Sequence, residues 1–539
     1  MVRRVVALET PHDVQALAER LVALPSVSPN AAAETACAAA IRDALPAGIA
    51  SGAWHTKDRR PVVWALLRGR TPRAVLVLGH YDTVGVAEYA MLGDPRGMAI
   101  AFDCRSLRER LLALDRASAG VDEQLGRDLD EERSRPGTWM FGRGALDMKS
   151  GLAAGLGALA TLAAQRDTLN GSVLFVACPD EECESAGMRA AIAALPALRE
   201  REGLELLGAL NLDYGTEPIG YAGVVGKLLL GVWVLGDPTH ACEPFRGVDA
   251  AQLTAEIVRR IALAGELADG LAVPPVTLGL RDLKPEYNVQ TAVEAAAEFN
   301  LITTRRPIRE TLERARALVE QAIAEMGESM GSLETRLGGR KSACGARVGQ
   351  RVFTYAELLA RAGRSPDQDP LSAPASGGAP PSPARTSHGA IASEARRATL
   401  DRVRRLAREA GLTGPAVVLC LVPPYYPPAA PGMGPLAEAA RQVLDARGIE
   451  LRPYYPFISD AAYLAWRSEP LREVSRQLPS LGREYHLPVE ESRALDLDVV
   501  NLGPWGRDAH GRLERVHAPH AFGVLPALVV ETVQRAFAS

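Results

Sequence analysis

Aromatic side chains are scarce: Phe, Trp and Tyr together make up 5% of the 539 residues. The core must therefore rest on aliphatic packing. Cysteine is also thin on the ground. The seven (Cys37, Cys104, Cys178, Cys183, Cys242, Cys344 and Cys420) are odd in number and scattered, with no CxxC pair. That argues against a disulfide framework or a thiolate zinc site and fits a reducing compartment. Neither sign of charge dominates, with 61 Lys and Arg against 65 Asp and Glu. No basic arm or aromatic-basic interleaving marks a nucleic-acid partner. Long apolar runs are absent too: AVLVLG and AVVLCLV fall far short of the ~20 residues of a membrane span. The opening MVRRVVALETPHD has too short an apolar stretch for a signal peptide, so a cytoplasmic protein without membrane association is expected.

What is present is an ordinary globular balance, 47% hydrophobic and 23% charged. The length suggests two to four domains, or one large domain carrying a second. Residues 11–24 place Val14, Leu17, Leu21 and Leu24 at helical steps, and LPSVSPN ends that helix. From 61 onward, continuous apolar runs (PVVWALLRG, AVLVLGH, SVLFVAC, ELLGALNL) alternate with helical stretches. This predicts an α/β fold, a mixed, mainly parallel sheet flanked by helices. The stretch 85–138 is irregular and polar, with one helical piece and the acidic DLDEER. Residues 223–327 read as a separate α+β unit, with KLLLGVWVLG, VTLGLRDL and AVEAAAEFNLITT as strands and two long helices. A connecting segment follows over 328–363. Residues 364–390 hold six prolines between Pro366 and Pro383 and almost no large aliphatics, the composition of a linker or disordered loop. Sheet and helix signals return over 391–539.

Acidic and imidazole side chains follow four apolar strands in succession. His80 and Asp82 follow AVLVL; Asp147 lies in GRGALDMKSG; Asp180, Glu181 and Glu182 follow SVLFVAC; Asp213 follows LLGALNL. In an open parallel sheet, ligands bind beyond the carboxyl ends of the strands, so these groups can converge on one rim. Carboxylates and imidazoles suit zinc or similar divalent ions, and several acids in one place repel unless cations neutralise them. Taken singly, an Asp after a strand is more often a cap or turn residue, and the repetition carries the argument. GLAAGLG at 151–157 reads as helix packing, and Cys178 and Cys183 read as buried packing residues.

GHYDTV, GRGALDMKSG, PDEECESAGM, NLDYG and GRDAHGRLERV resemble, in order, the motifs of the co-catalytic zinc hydrolases, a family that includes aminoacylase, glutamate carboxypeptidase and succinyl-diaminopimelate desuccinylase. WMFGRG, ISDAAYLAW and NLGPWGRDAH are similar to its RocB-type arginine-utilisation branch. The resemblance implies a catalytic domain formed by 1–222 and 391–539, with 223–327 as an inserted lid that makes a homodimer. It implies two divalent ions, Zn2+ first with Co2+ or Mn2+ as alternatives. Their ligands would be His80, Asp147 (bridging), Glu182, Asp213 and His510. The family's ligand stands four residues before a Glu, which selects His510 over His517 and His520; those two are expected at the surface. Asp82 would orient the His80 imidazole and Glu181 would be the general base, although exchange of roles with Glu182 stays open. A cis peptide is implied after Asp147. His240, from a partner subunit's lid, would stabilise the oxyanion; the bland alternative is a turn histidine. Asn288 would touch substrate. The family's lid arginine has no clear counterpart, the nearest being Arg305 and Arg306. The expected activity is hydrolysis of an amide in a small peptide or N-acyl amino acid, with an arginine link from the branch. The alternative is a non-catalytic metal-binding or regulatory protein on the same fold.

Overall fold

The computed structural model describes residues 8–93, 98–114, 121–271, 273–337, 351–364, 394–467 and 471–538. The chain divides into two compact units. The first comprises 1–225, 429–467 and 490–539, and the second 226–428 and 468–489.

The first unit is built on an eight-stranded sheet. Its strands run, edge to edge, Ala50–His55, Pro61–Leu67, Ser172–Cys178, Arg73–His80, Glu205–Asn211, Val499–Asn501, Gly220–Ala222 and Leu451–Arg452. Arg73–His80 is parallel to both its neighbours, and Glu205–Asn211 is parallel to Val499–Asn501. The two strands on the Ala50 side add antiparallel pairs. The apolar runs read from the sequence are these central strands, buried on both faces. Helices Pro11–Val22, Ala31–Asp43, Ser150–Ala164, Pro435–Asp445 and Leu525–Ala538 share one core with Val63, Val75, Val77, Phe175 and Leu210. The segment Pro519–Ala538 is apolar enough to cross a membrane by length and composition, but its Leu525, Val529, Val533 and Phe537 sit in this core. Helix Ala186–Glu202 packs on strands Ala50–His55, Pro61–Leu67 and Ser172–Cys178.

The glycines of GLAAGLG serve close packing, as expected. A Cβ on Gly151 would stand 2.2 Å from the Leu212 carbonyl oxygen, and one on Gly155 2.4 Å from the Leu212 side chain. The described parts of 85–138 hold more regular structure than their composition suggests. Helices Cys104–Leu112 and Glu123–Ser134 form a small core with Tyr89, Phe102, Trp139 and Phe141. The acidic DLDEER is helical because two of its acids face inward: Asp128 accepts from the Arg515 guanidinium (Nε at 2.8 Å), and Glu132 accepts from the backbone N–H of Trp139 at 2.8 Å.

The second unit has a five-stranded sheet ordered Val352–Thr354, Ala416–Tyr426, Gly226–Leu235, Glu294–Thr303 and Val276–Asp282. The three expected lid strands and the helices Ala250–Ile261 and Ile308–Arg336 are there. The second helix runs on past 327, so the connecting segment begins helical. The boundary at 391 is corrected. Helix Glu394–Glu409 and strand Ala416–Tyr426 belong to the second unit, where the strand pairs antiparallel with Gly226–Leu235. A fully buried apolar strand carries no mark of which sheet it joins. The Pro/Ser/Gly-rich stretch from 365 to 390 lies outside the described residues.

Candidate metal centre

His80 is the last residue of its strand and is buried. Its Nε2 stands 3.0 Å from Asp147 Oδ1, and its Nδ1 3.5 Å from Asp82 Oδ1. Asp82 does more than orient that ring. Its carboxylate accepts from the backbone N–H groups of Glu181 and Glu182, both at 3.1 Å, and from the Ser28 hydroxyl at 2.8 Å. One side chain thus ties the end of the His80 strand to the turn after Ser172–Cys178.

Asp147 is held from behind. The Asp147–Met148 peptide is cis, as the resemblance implies. Glu514, fully buried, accepts from the N–H of Leu146 at 3.0 Å and of Asp147 at 3.2 Å, while Arg143 donates to it at 2.6 Å. Arg143 also donates to the His510 carbonyl at 3.0 Å and pairs with Glu88. Lys149, two residues past Asp147, donates to the carbonyls of Leu21 (2.9 Å) and Leu24 (2.6 Å), where helix Pro11–Val22 ends. The loop therefore leans on the first helix, on the C-terminal segment and on residue 88.

His510 completes the group. Its backbone is left-handed (φ 62°), and its Nε2 lies 3.0 Å from Asp147 Oδ2 and 3.1 Å from Glu182 Oε1. Asp213 follows strand Glu205–Asn211; its carbonyl accepts from Asn501 Nδ2 at 2.8 Å. Three groupings each bring ligand atoms within 4.8 Å of one another: His80, Asp147 and Asp213; Asp147, Glu182 and His510; and His80, Glu181 and Glu182. Asp147 lies between two imidazoles and belongs to the first two groupings, the geometry of a bridge.

The electrostatics show a surplus of acid. For Asp147, burial favours the neutral form, but hydrogen bonds and charge from His510 and His80 outweigh it and hold the carboxyl well below its usual range. For His510, burial opposes the charge, yet the Glu182 carboxylate and the contacts with Asp147 raise it to about 11. Glu181 is pushed well above the carboxylate range, first by burial, against the pull of His80, with Asp460 and Glu182 adding repulsion. Burial and then Asp147 push Asp213 up to about 7. Four acids confront two imidazoles, the buried His80 on one side and the exposed His510 on the other. Divalent cations would relieve that repulsion, and a donor set of imidazole nitrogens and carboxylate oxygens suits such ions.

The sequence-derived residues His80, Asp82, Asp147, Glu181, Glu182, Asp213 and His510 thus come together in the first unit. His240 and Asn288 lie in the second unit, both exposed. His240 Nδ1 accepts from the Cys242 N–H at 3.1 Å, and Asn288 Oδ1 accepts from the Gln290 N–H at 3.0 Å. Arg306 donates to the Ala268 carbonyl, and Asp269 accepts from the N–H groups of Thr304, Arg305 and Arg306. Three expectations are corrected. His517 is half-buried, stacked on Trp505 and edge-on to Trp139, because apolar rings take up the imidazole faces. His520 is buried. Cys183 is exposed, at a surface position of the turn between Asp180 and Ala186. Glu514, used only as a spacing mark, proves to hold the Asp147 loop. Asp460, in ISDAAYLAW, has no such signal in the sequence; it is buried near Glu181 and pushed up to about 8 by burial, with Asp82 and Asp180 adding repulsion against Ser185 and His80. A lone acid after a serine gave no pattern to find.

Known proteins share sequence and fold with this chain. Protein RocB of Bacillus subtilis (strain 168) is 28% identical over 510 residues, covering 88% of this chain and 84% of its own. The uncharacterized protein YqjN of the same organism is 30% identical over 499 residues, covering 88% and 86%. Among solved structures, a tripeptidase from Staphylococcus aureus superposes with a TM-score of 0.53 at 12% identity, over 99% of this chain and all of its own, which shows a shared fold. The model of Peptidase family M20/M25/M40 matches residues 128–491, a span that takes in Asp147, Glu181, Glu182 and Asp213, while His80 and His510 close the site from either side. A match across more than half of the chain makes this protein a member of that peptidase family, and thus a hydrolase.

Proposed function

We propose that the protein hydrolyses an amide bond in a small peptide or N-acyl amino acid, using two divalent ions held around Asp147. The observation that carries this reading is Asp147 itself, 3.0 Å from an imidazole on either side and shared by two potential ligand groups. His80 and Asp213 would complete one group, Glu182 and His510 the other. When bound, the ions supply Lewis acidity to the scissile carbonyl and acidify the attacking water. We favour Zn2+, with Co2+ and Mn2+ as the alternatives.

Glu181 is the general base. Its Oε1 is buried without a hydrogen-bond partner, and its burial raises its affinity for a proton. It takes the proton of the attacking water and returns it to the departing amine nitrogen. Its neighbour Glu182 faces His510, which supports giving the ligand role to Glu182 and the base role to Glu181. Asp82 fixes the His80 imidazole and seats the Glu181–Glu182 backbone. We assign oxyanion stabilisation to His240. Its Nδ1 accepts from a backbone N–H, so its Nε2 carries the proton and is a donor. Asn288 is assigned to substrate contact. We further propose a homodimer through the second unit, since Val276, Leu278 and Leu280 on its edge strand are about half exposed on one side.

The test is a panel of dipeptides and N-acyl amino acids, arginine- and ornithine-containing ones included, incubated with Zn2+-loaded protein. Amine release is read by mass spectrometry beside Glu181→Gln. Release by the wild type alone is expected. No release by metal-loaded wild type across the panel would overturn the reading in favour of a non-catalytic metal-binding role.

A further inference from the structure

Behind Glu181 and Glu182 lies a set of buried charges that the proposed chemistry does not use. Arg60 sits where the hairpin between strands Ala50–His55 and Pro61–Leu67 ends. Its backbone N–H donates to Thr56 Oγ1 at 2.9 Å, and its carbonyl accepts from the Thr56 N–H at 3.0 Å. The side chain is buried, and Nη1 reaches Asp180 Oδ1 at 2.5 Å and both Glu34 carboxylate oxygens at 3.2 Å.

Each partner leads to the same turn. Asp180 precedes Glu181 and has a left-handed backbone (φ 71°). Its Oδ2 accepts from the Ala186 N–H at 2.9 Å and its carbonyl from the Ser185 N–H at 2.7 Å, so it fixes both ends of the 180–186 turn. Glu34 leads there from the other side. The Ser28 hydroxyl lies 2.8 Å from Glu34 Oε1 and 2.8 Å from Asp82 Oδ2, and Asp82 accepts from the Glu181 and Glu182 N–H groups. The bonds close a ring: Arg60, Asp180, the Glu181–Glu182 backbone, Asp82, Ser28, Glu34 and back to Arg60.

We propose that Arg60 is a positioning residue for the reaction: through Asp180 on one side and Glu34–Ser28–Asp82 on the other, it holds the turn that presents Glu181 and Glu182. Three carboxyls, those of Glu34, Asp82 and Asp180, are buried in this ring. Arg60 is the guanidinium that pairs with two of them. Without it, two buried acids lose their counter-charge and the turn loses the brace on Asp180. The ring touches Glu182 through the backbone but leaves Asp213 alone. Its loss therefore falls first on the grouping of Asp147, Glu182 and His510, through the Glu182 backbone; that of His80, Asp147 and Asp213 is reached only through Asp82, which faces His80 Nδ1 at 3.5 Å, and is disturbed less. This rests on the proposed function only for the roles of Glu181 and Glu182.

The test is Zn2+ titration by calorimetry of wild type, Arg60→Met, Arg60→Lys and Ser28→Ala, with circular dichroism and Tm on each. Arg60→Met is expected to weaken one of two Zn2+ sites by about 10- to 100-fold, as loss of a supporting partner does. The other site, reached only through Asp82, should weaken clearly less. Arg60→Lys should recover part of the loss, and Ser28→Ala should show a smaller loss at the same site. A folded Arg60→Met with both sites unchanged, or weakened equally, overturns the proposal in favour of a purely structural ion pair. Should Arg60→Met not fold, Arg60→Lys and Ser28→Ala decide: selective weakening supports the ring, and wild-type affinities at both sites overturn it. Because the readout is metal affinity, wild type that binds two ions but hydrolyses nothing removes the proposed reaction and leaves the brace intact.

Discussion

The two units use charge in opposite ways. The first buries it: Arg143 and Arg515 are 1% exposed, Lys149 and Glu514 are fully inside, and each is tied to a loop that carries a site residue or its support. The second has, among its described residues, no ion pair with both partners fully buried: Arg396–Glu298, Arg402–Glu484 and Arg404–Glu294 are partly buried, and in Arg309–Glu313 and Arg314–Glu310 along helix Ile308–Arg336 the partners are about half exposed or more. Surface pairs of that kind contribute little, whereas a buried charge is costly unless fully partnered. The contrast teaches where the molecule needs fixed geometry. Buried charge collects behind the candidate site because several strand ends and loops must meet there to within a few tenths of an ångström. The second unit has no such demand on its helix.

The widest gap should appear in catalysis. Glu181→Gln is expected to lower kcat by about 10²- to 10⁴-fold while two ions still bind, measured by turnover beside metal analysis. If the variant turns over like wild type, the buried acid is not the base. Next is the buried charge behind Asp147. Arg143→Met strands Glu514 and frees the His510 carbonyl, and should cost about 3–5 kcal/mol in urea unfolding. A loss no greater than that of a surface pair would erase the distinction between the units.

A smaller effect concerns pH. Glu514 has its pKa raised from an ordinary 4.5 to about 7, chiefly by burial and then, against Arg143, by Asp147. Asp213 is raised in the same direction. A carboxyl whose folded pKa is raised stabilises the fold below its unfolded pKa, and that contribution is lost as pH rises through the folded value. Metal-free protein should therefore lose Tm between about pH 4.5 and about pH 7, and divalent ions should offset the loss. Thermal scans with EDTA and with Zn2+ check this; a metal-free Tm that rises across that window contradicts it. The smallest expected effect is Arg309→Ala in the second unit, which should leave Tm within about 2 °C of wild type.

Much of the first unit was legible because two signals coincide there. A continuous apolar run marks a central strand, and an acid or histidine directly after it marks the rim. His80, Glu181, Glu182 and Asp213 carry both. Asp147 does not: the short strand before it, Trp139–Phe141, belongs to a separate three-stranded sheet, and Asp147 lies further on, just ahead of helix Ser150–Ala164. His510 carries neither; only its spacing from Glu514, by resemblance, selected it. The supports were not legible. Arg60, Glu34 and Arg143 come from a hairpin end, a helix and a loop, and nothing local distinguishes them from solvated charges. Strand Ala416–Tyr426 was legible as a strand but not as a member of the second sheet, because burial on both faces erases the alternation that would assign it.

The path of the chain through the first unit has a consequence for its birth. Strand Val499–Asn501 lies between Glu205–Asn211 and Gly220–Ala222, and Asn501 grips the carbonyl of a residue 288 positions earlier. His510 meets Glu182 across 328 positions. As the chain leaves the ribosome, the entire second unit emerges before these partners do. The sheet must wait with an open slot beside Glu205–Asn211, and the ion site with one imidazole missing. Closing so distant a pairing is slow, and the unpaired strand edge is exposed meanwhile. A nascent chain stalled before residue 499 would thus be a natural client for a chaperone, and cellular yield should depend on how quickly that last stretch arrives.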